Sequence, residues 1–80
     1  MWKEIDGKLY QKFEFKNFNA AFAFISSVAL VSEKADHHPT ITNTYSKVEI
    51  WLTTHDAGNT VTKKDRDLAL QIDKVLDFRL

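Results

Sequence analysis

The stretch "WKEIDGKLYQKFEFK", residues 2–16, predicts a β-hairpin near the start of the chain. Asp6-Gly7 marks its two-residue turn, because a type I′ turn needs positive φ angles, which glycine adopts without strain. After the turn, Leu9 and Phe13 fall on one face of a strand, whereas the residues between them are mostly polar. This alternation is typical of a sheet that has one face on a hydrophobic core.

The stretch "NAAFAFISSVALVSEK", residues 19–34, predicts a helix with Asn17 or Asn19 as its N-cap. No charged residue occurs from 17 to 32, and the apolar residues form two stripes. One stripe holds Phe18, Phe22, Ile25 and Ala29, and the other holds Ala20, Phe24, Val28 and Val31. Since the sheet of so small a domain covers only one stripe, the other predicts contact with a second subunit. We expect a glutamate in place of Ala21 to split such an assembly.

The stretch "TNTYSKVEIWLTTH", residues 42–55, alternates again and predicts a strand, preceded by a short strand near 40–43. Its aliphatic residues point to the core, and they are Val48, Ile50 and Leu52. Tyr45, Trp51 and His55 then lie on the opposite face. We expect that second face to remain open to a ligand or a partner.

The last helix is predicted in "LALQIDKVLDF", residues 68–78, after a variant capping box formed by Thr62 and Asp65. Its inner stripe is predicted to hold Leu68, Ile72, Val75 and Leu76. The element order is therefore β-β-α-β-β-α. This order predicts an α+β fold, in which a four-stranded antiparallel sheet carries two helices on one face.

Size and composition restrict the function. Eighty residues predict a single domain, 1–80, with a small core that oligomerisation would support. Eleven basic and eleven acidic residues cancel without a basic run, which argues against a nucleic-acid-binding protein. The sequence contains no cysteine, no apolar stretch of membrane-spanning length and no signal-peptide pattern. We therefore expect a cytoplasmic protein without a membrane partner.

The three histidines are the candidate functional residues. His37 and His38 lie in "EKADHHPT", residues 33–40, and His55 lies in "LTTHDAG", residues 52–58. They could be solvated loop residues, zinc ligands or an acid–base pair. A zinc site would need Asp36 or Asp56 as a fourth ligand, but adjacent histidine side chains diverge and the spacing matches no common zinc pattern. Acid–base catalysis suits imidazole, whose ordinary pKa of about 6.5 leaves both protonation states available near neutrality.

The neighbouring residues also have simpler structural interpretations. Glu33 ends the first long helix, Asp65 caps the last helix, and Tyr45 packs at the start of a strand. Pro39 stiffens the chain after His38 and favours extended backbone there. Trp51 on the open sheet face is typical of an oligomer interface.

The long gapped pattern of these residues resembles the pterin-4a-carbinolamine dehydratase family. The pattern is an acidic residue, three positions, His-His-Pro, a short gap, an aromatic, nine positions, a histidine and a downstream aspartate. In this chain it is formed by Glu33, His37, His38, Pro39, Tyr45, His55 and Asp65. Together with Trp2 and the helix around residues 18–31, the resemblance covers nearly the whole chain.

The resemblance implies a lyase that needs no cofactor and no metal. Such an enzyme dehydrates 4a-hydroxytetrahydrobiopterin to quinonoid dihydropterin and water, in the recycling of tetrahydrobiopterin. It implies that His37 and His55 are the acid–base pair and that His38 mainly positions the pterin. Further substrate contacts are implied for Asp36, Thr53, Thr54 and Asp56, and supporting roles are implied for Glu33, Pro39, Tyr45 and Asp65.

The resemblance also implies partners. They are a pterin substrate, an aromatic amino-acid hydroxylase in the same pathway, and further copies of the chain. Homodimers would extend the sheet at its edge, and homotetramers would form through helix 18–34, which agrees with its uncharged surface. Some animal members of the family also act as dimerisation cofactors of a transcription factor. A non-catalytic interaction module, such as a transcriptional coactivator, is therefore the alternative function.

Overall fold

A computed structural model of the chain describes the backbone of residues 1–79 and the side chains of residues 1–77. The element order is β-β-α-β-β-α, which confirms the predicted α+β fold. The elements are β1 Lys3–Ile5, β2 Lys8–Glu14, α1 Phe18–Ala35, β3 Thr40–Thr44, β4 Lys47–Leu52 and α2 Lys63–Arg79. A short 3₁₀ turn, His55–Ala57, lies between β4 and α2. Neither α1 nor α2 has the length and apolarity that a helix needs to cross a lipid bilayer.

The four strands form one antiparallel sheet in the order β1-β2-β4-β3. The β1–β2 turn has φ angles of 51° at Asp6 and 77° at Gly7, which confirms the predicted positive-φ hairpin turn. In the register, Leu9 of β2 lies opposite Leu52 of β4. Thr40 of β3 lies opposite Trp51, so the start of β3 and the end of β4 meet at one edge of the sheet.

One face of the sheet and both helices enclose the hydrophobic core. The buried apolar residues are Leu9, Phe13, Ala21, Phe24, Val28, Val48, Ile50, Leu52, Leu68, Ala69 and Ile72. Trp2 closes one end, where its ring meets Phe13 edge-on at 5.9 Å and its indole N–H donates to Asp73 at 3.0 Å. The opposite face of the sheet carries Tyr10 and Trp51, whose ring centroids lie 5.2 Å apart.

Helix α1 begins after an asparagine whose side chain accepts a hydrogen bond from an amide of the first helical turn. The Asn17 side chain accepts a hydrogen bond from the Ala20 amide at 2.8 Å, so Asn17 rather than Asn19 is the N-cap. The stripe that contains Phe24 and Val28 packs on the sheet. In the other stripe Phe22 is 50% exposed.

Ala21 is fully buried, so a glutamate in its place does not test the outer surface of α1 as expected from the sequence. A glutamate there would disrupt the core, because a charge would lose its hydration inside the protein.

Two strands are predicted in this region, but the predicted bounds of the second one, residues 42–55, are wrong in part. Two strands occupy this region, and they are joined by a tight turn in which Tyr45 has a φ of 51°. Tyr45 is 65% exposed, so it does not pack at the start of a strand. His55 follows β4 in the 3₁₀ turn and therefore does not share the strand face of Trp51.

Candidate active site

The end of α1 delivers Asp36, His37 and His38 to one edge of the sheet. Asp36 is the C-cap and has a left-handed backbone, with φ 52° and ψ 43°. Aspartate tolerates this conformation better than most residues do. The amides of Asp36 and His37 bond to carbonyls of the last helical turn, which closes the helix end. The two histidines then extend towards β3, whose first residue follows Pro39.

The end of β4 delivers Thr53, Thr54 and His55 to the same edge. The Thr54 amide donates to the Thr60 carbonyl at 3.0 Å, and the Asn59 amide donates to the Thr54 carbonyl at 3.1 Å. These bonds close a compact loop around the 3₁₀ turn. The Thr53 hydroxyl donates to the Gly7 carbonyl at 2.9 Å, which ties this loop to the β1–β2 turn.

Between these two segments lies an open cleft of about 350 Å³. Its lining residues are Asp36, His37, His38, Thr53, Thr54, His55, Asp56 and Lys64. The structure thus brings all three histidines together with the four other residues for which the family resemblance implies substrate contacts. The cleft volume lies near the lower end of the range for small-molecule sites.

His37 is held by a buried carboxylate. Its Nε2 lies 2.6 Å from Asp65 Oδ1, and Asp65 has no solvent exposure. The other carboxylate oxygen accepts from the Thr54 hydroxyl at 2.7 Å and from the Thr62 amide at 2.8 Å. Burial raises the pKa of Asp65, but the hydrogen bonds from His37, Thr62 and Thr54 outweigh that effect and hold the pKa below its usual range. Asp65 is therefore an ionised acceptor beneath the cleft.

The position of the protons in this network follows from Asp65. An ionised carboxylate can only accept, so His37 Nε2 must carry the shared proton. The Thr54 hydroxyl donates its single proton to Asp65, so it accepts from the Thr62 hydroxyl, which lies 2.7 Å away. Only the Asp65 half of the predicted capping box forms, since the Asp65 amide donates to the Thr62 carbonyl at 3.1 Å rather than to the Thr62 hydroxyl.

The other two histidines lie in more open surroundings. His38 Nε2 is 2.7 Å from Glu33 Oε1, but both side chains are largely exposed, so this pair adds little stability. His55 is also exposed, and its Nδ1 lies 2.7 Å from Asn59 Oδ1. With the amide oxygen of Asn59 as acceptor, His55 Nδ1 donates and Nε2 is the nitrogen left for a ligand.

The residues with predicted supporting roles lie in different places. Asp65 and Glu33 each contact a cleft histidine, and Pro39 follows His38 directly. Tyr45 does not line the cleft. It lies in the β3–β4 turn, beyond the Thr44–Lys47 pair and at the opposite end of this hairpin from Thr40 and Trp51.

Lys64 and Asn59 are the residues near the site that the sequence did not reveal. Lys64 lines the cleft, and Asn59 contacts His55. Asp65 could have indicated Lys64, because Lys64 directly precedes Asp65 in the first turn of the last helix. Within residues 1–77, no three His, Asp or Glu side chains form a cluster that could hold a metal ion.

The geometry agrees with the similarity of this chain to known proteins. The family model described as "Pterin 4 alpha carbinolamine dehydratase" matches residues 1–75. Two bacterial relatives are both named "Putative pterin-4-alpha-carbinolamine dehydratase". The one from Rhodopseudomonas palustris is 50% identical over 92% of this chain and 74% of its own length. The one from Prochlorococcus marinus strain NATL2A is 54% identical over 91% and 77%.

Two solved structures have a similar fold. A crystal structure of a "transcriptional coactivator/pterin dehydratase" from Brucella melitensis has a TM-score of 0.86 and 37% identity, and the match covers 92% of this chain and 80% of that one. A pterin dehydratase-like protein described as a RuBisCO assembly factor in the α-carboxysome has a TM-score of 0.76. Its identity of 22% shows a shared fold alone. From the family model and the close relatives together, this chain belongs to the pterin 4 alpha carbinolamine dehydratase family.

Proposed function

We propose that this protein dehydrates a pterin 4a-carbinolamine to quinonoid dihydropterin and water by histidine acid–base catalysis. The observation that carries the proposal is the convergence of His37, His38 and His55 on one cleft, with His37 fixed by buried Asp65. Family membership supports the reaction class. The family resemblance implies 4a-hydroxytetrahydrobiopterin, formed by an aromatic amino-acid hydroxylase in the cytoplasm, as one substrate of this class.

The reaction needs one proton donor and one proton acceptor. The bond between C4a and its hydroxyl oxygen breaks as that oxygen takes a proton and leaves as water. The proton on N5 departs, and its electron pair forms the double bond between N5 and C4a. Two imidazoles, one protonated and one neutral, can perform both transfers. After one turnover their protonation states are exchanged, and solvent restores them.

His37 and His55 are the proposed acid–base pair. Because Asp65 holds the proton of His37 Nε2, Nδ1 is the nitrogen through which His37 exchanges a proton. The ionised carboxylate also fixes the tautomer and the orientation of the imidazole ring, as a buried carboxylate does in other acid–base sites. For His55 the exchanging nitrogen is Nε2, since Nδ1 contacts Asn59.

The remaining cleft residues fit the binding of a flat polar ring. A pterin presents a 2-amino group and an N3–H as donors on one edge. The carboxylates of Asp36 and Asp56 can accept from that edge, and the threonines at the end of β4 supply further polar groups. His38 would position the ring.

The test is stopped-flow absorbance of 4a-hydroxytetrahydropterin decay, with and without the protein, in the presence of a chelator. We expect acceleration that survives the chelator. His37→Gln and His55→Asn should each reduce the rate about 10²- to 10⁴-fold, as expected for loss of a general acid or base. Glutamine is chosen at position 37 because its amide can still donate to Asp65, whereas alanine would leave a buried carboxylate without this partner. Lys74→Met, an exposed change on α2, is the control.

The alternative function is a non-catalytic interaction module, which would act as a dimerisation cofactor or a transcriptional coactivator. It is favoured by the exposed aromatic rings of Phe18 and Phe22 on α1, which stack at 5.6 Å. The same assay separates the two functions. Decay at the spontaneous rate would contradict the dehydratase and support the interaction module. The three histidines in the cleft favour the dehydratase, because an interaction module does not require them.

A further inference from the structure

The first turn of α2 carries three cationic side chains, which are Lys63, Lys64 and Arg66. Cations are unfavourable there, because the helix dipole places partial positive charge at the N-terminus. Lys63 is compensated by Asp67 at 2.7 Å, and Arg66 is compensated by Glu4 at 3.2 Å. Lys64 makes no ion pair among the residues that the structure describes.

Lys64 is also the one of the three that borders the candidate active site. It lines the 350 Å³ cleft together with His37, next to the residue whose carboxylate holds that histidine. It borders a second, smaller groove of about 160 Å³ behind His37, along Asp67, Leu68 and Gln71. Lys64 and His37 therefore lie where the cleft and this smaller groove adjoin.

The charged residues of the cleft suit two different parts of the proposed ligand. Asp36 and Asp56 are acceptors that suit the donor edge of a pterin. The ring carries no negative charge to match the Lys64 ammonium. A neutral side chain would leave that cation unpaired, as it is in the free protein.

We infer that Lys64 binds an anionic group on the substrate, a carboxylate or a phosphate ester carried by the pterin side chain. The protein then prefers acidic pterins to neutral ones. This inference rests on the proposed function, because it requires a pterin in the cleft. It makes Lys64 a specificity-determining residue that takes no part in the proton transfers.

Equilibrium binding of oxidised, unreactive pterins tests the inference without turnover. The probes are 6-hydroxymethylpterin, its phosphate monoester and pterin-6-carboxylate, followed by quenching of pterin fluorescence. We expect the anionic probes to bind about two- to fivefold more tightly than the neutral one, the range for a partly exposed ion pair. Added salt should reduce this advantage, since it screens exposed charges. A gain for only one anionic probe would identify which anion the site accepts.

Variants at adjacent positions provide the control. Lys64→Met should remove the advantage of the anionic probes over the neutral probe, whereas Lys64→Arg should keep it. Lys63→Met removes an equal charge from the same helical turn but away from the cleft, and it should keep the preference. Equal binding of neutral and anionic probes, or an equal loss in both methionine variants, would overturn the inference and leave the proposed function intact. Failure of every probe to bind would overturn both.

Discussion

Asp65 connects helix capping to the candidate chemistry through a single carboxylate. Its oxygens accept from the Thr62 amide at the start of α2, from the Thr54 hydroxyl after β4 and from the His37 ring after α1. Three segments that are distant in sequence thus meet at one fully buried charge. A capping role and a supporting role in the site, which the sequence left as alternatives, are compatible in this geometry.

Asp65→Asn should therefore weaken both stability and activity. The asparagine amide can accept from only one oxygen, so its NH₂ group would face the Thr62 amide or His37 Nε2, and a buried donor would lose its acceptor. We expect a loss of about 1–3 kcal/mol in the free energy of unfolding, measured by urea denaturation. The dehydration rate should fall as well, because His37 loses the ionised acceptor that fixes its tautomer and ring orientation. Unchanged values of both quantities would contradict this role for Asp65.

The stability contribution of Asp65 should also depend on pH. Its pKa is lowered in the folded protein, so the native state binds this proton less readily than the unfolded chain does. The contribution is fully present above the unfolded pKa of about 4 and is lost as the pH falls through the folded pKa. The stability difference between the wild type and Asp65→Asn should thus be constant near neutrality and shrink below about pH 4. A difference that grows on acidification would show the opposite sign of linkage.

At the scale of elements, the β1–β2 turn supports the loop that carries His55. A Cβ at Gly7 would lie 2.6 Å from the Asn59 carbonyl oxygen, and the Gly7 φ is 77°. Gly58 has nearly the same φ, 80°, but a Cβ there would meet nothing within 4 Å. A substitution at either glycine would therefore strain the backbone, but only a substitution at Gly7 would also cause a steric clash.

Gly7→Ala should accordingly be more harmful than Gly58→Ala. We expect Gly58→Ala to cost about 1–2 kcal/mol in the free energy of unfolding, from left-handed strain alone. Gly7→Ala should cost more and should also lower the dehydration rate, because the clash displaces Asn59, which contacts His55. Urea denaturation and stopped-flow assays of both variants measure this. Equal effects of the two substitutions would mean that the contact between the turn and the loop is not important.

The elements that the sequence predicted well are those specified by local rules. The Asp6-Gly7 turn, the Asn17 cap and the stripe of α1 that contains Phe24 and Val28 depend on neighbours in sequence, and the structure confirms them. The position of the β3–β4 turn was predicted wrongly because Tyr45 makes this turn at positive φ, without the glycine that usually signals such a geometry.

Contacts between residues that are distant in sequence could not be predicted from the sequence pattern. The pairing of His37 with Asp65 and the position of Lys64 depend on how α2 lies against the end of α1. Periodicity places each residue on a face of its own helix, but it does not give the register of one helix against another. Resemblance to a family indicated that Asp65 matters, whereas only the structure showed which histidine it holds.

At the scale of the whole molecule, the small core leaves one side of α1 uncovered. Phe18 is 45% exposed and Phe22 is 50% exposed, and no charged side chain interrupts this helix from 17 to 32. A domain of this size buries a limited fraction of its apolar surface, so a second copy on this face would add hydrophobic stabilisation of about 25 cal/mol per Å² buried. We propose a homodimer or homotetramer with this contact, and this proposal is independent of the chemistry in the cleft.

Phe22→Asp should shift such an assembly towards the monomer. The substitution places a charge in the centre of the exposed aromatic pair, and this charge would have to lose its hydration on association. Sedimentation velocity at several protein concentrations measures the effect. Leu70→Asp is the matched control, since Leu70 is 59% exposed on α2 and lies outside this face. We expect a smaller sedimentation coefficient for Phe22→Asp and an unchanged value for Leu70→Asp.

If the wild type is already monomeric, or if both variants dissociate alike, the exposed face of α1 is not the contact between copies. Circular dichroism of Phe22→Asp should remain native, because Phe22 contributes little to the core of the isolated chain.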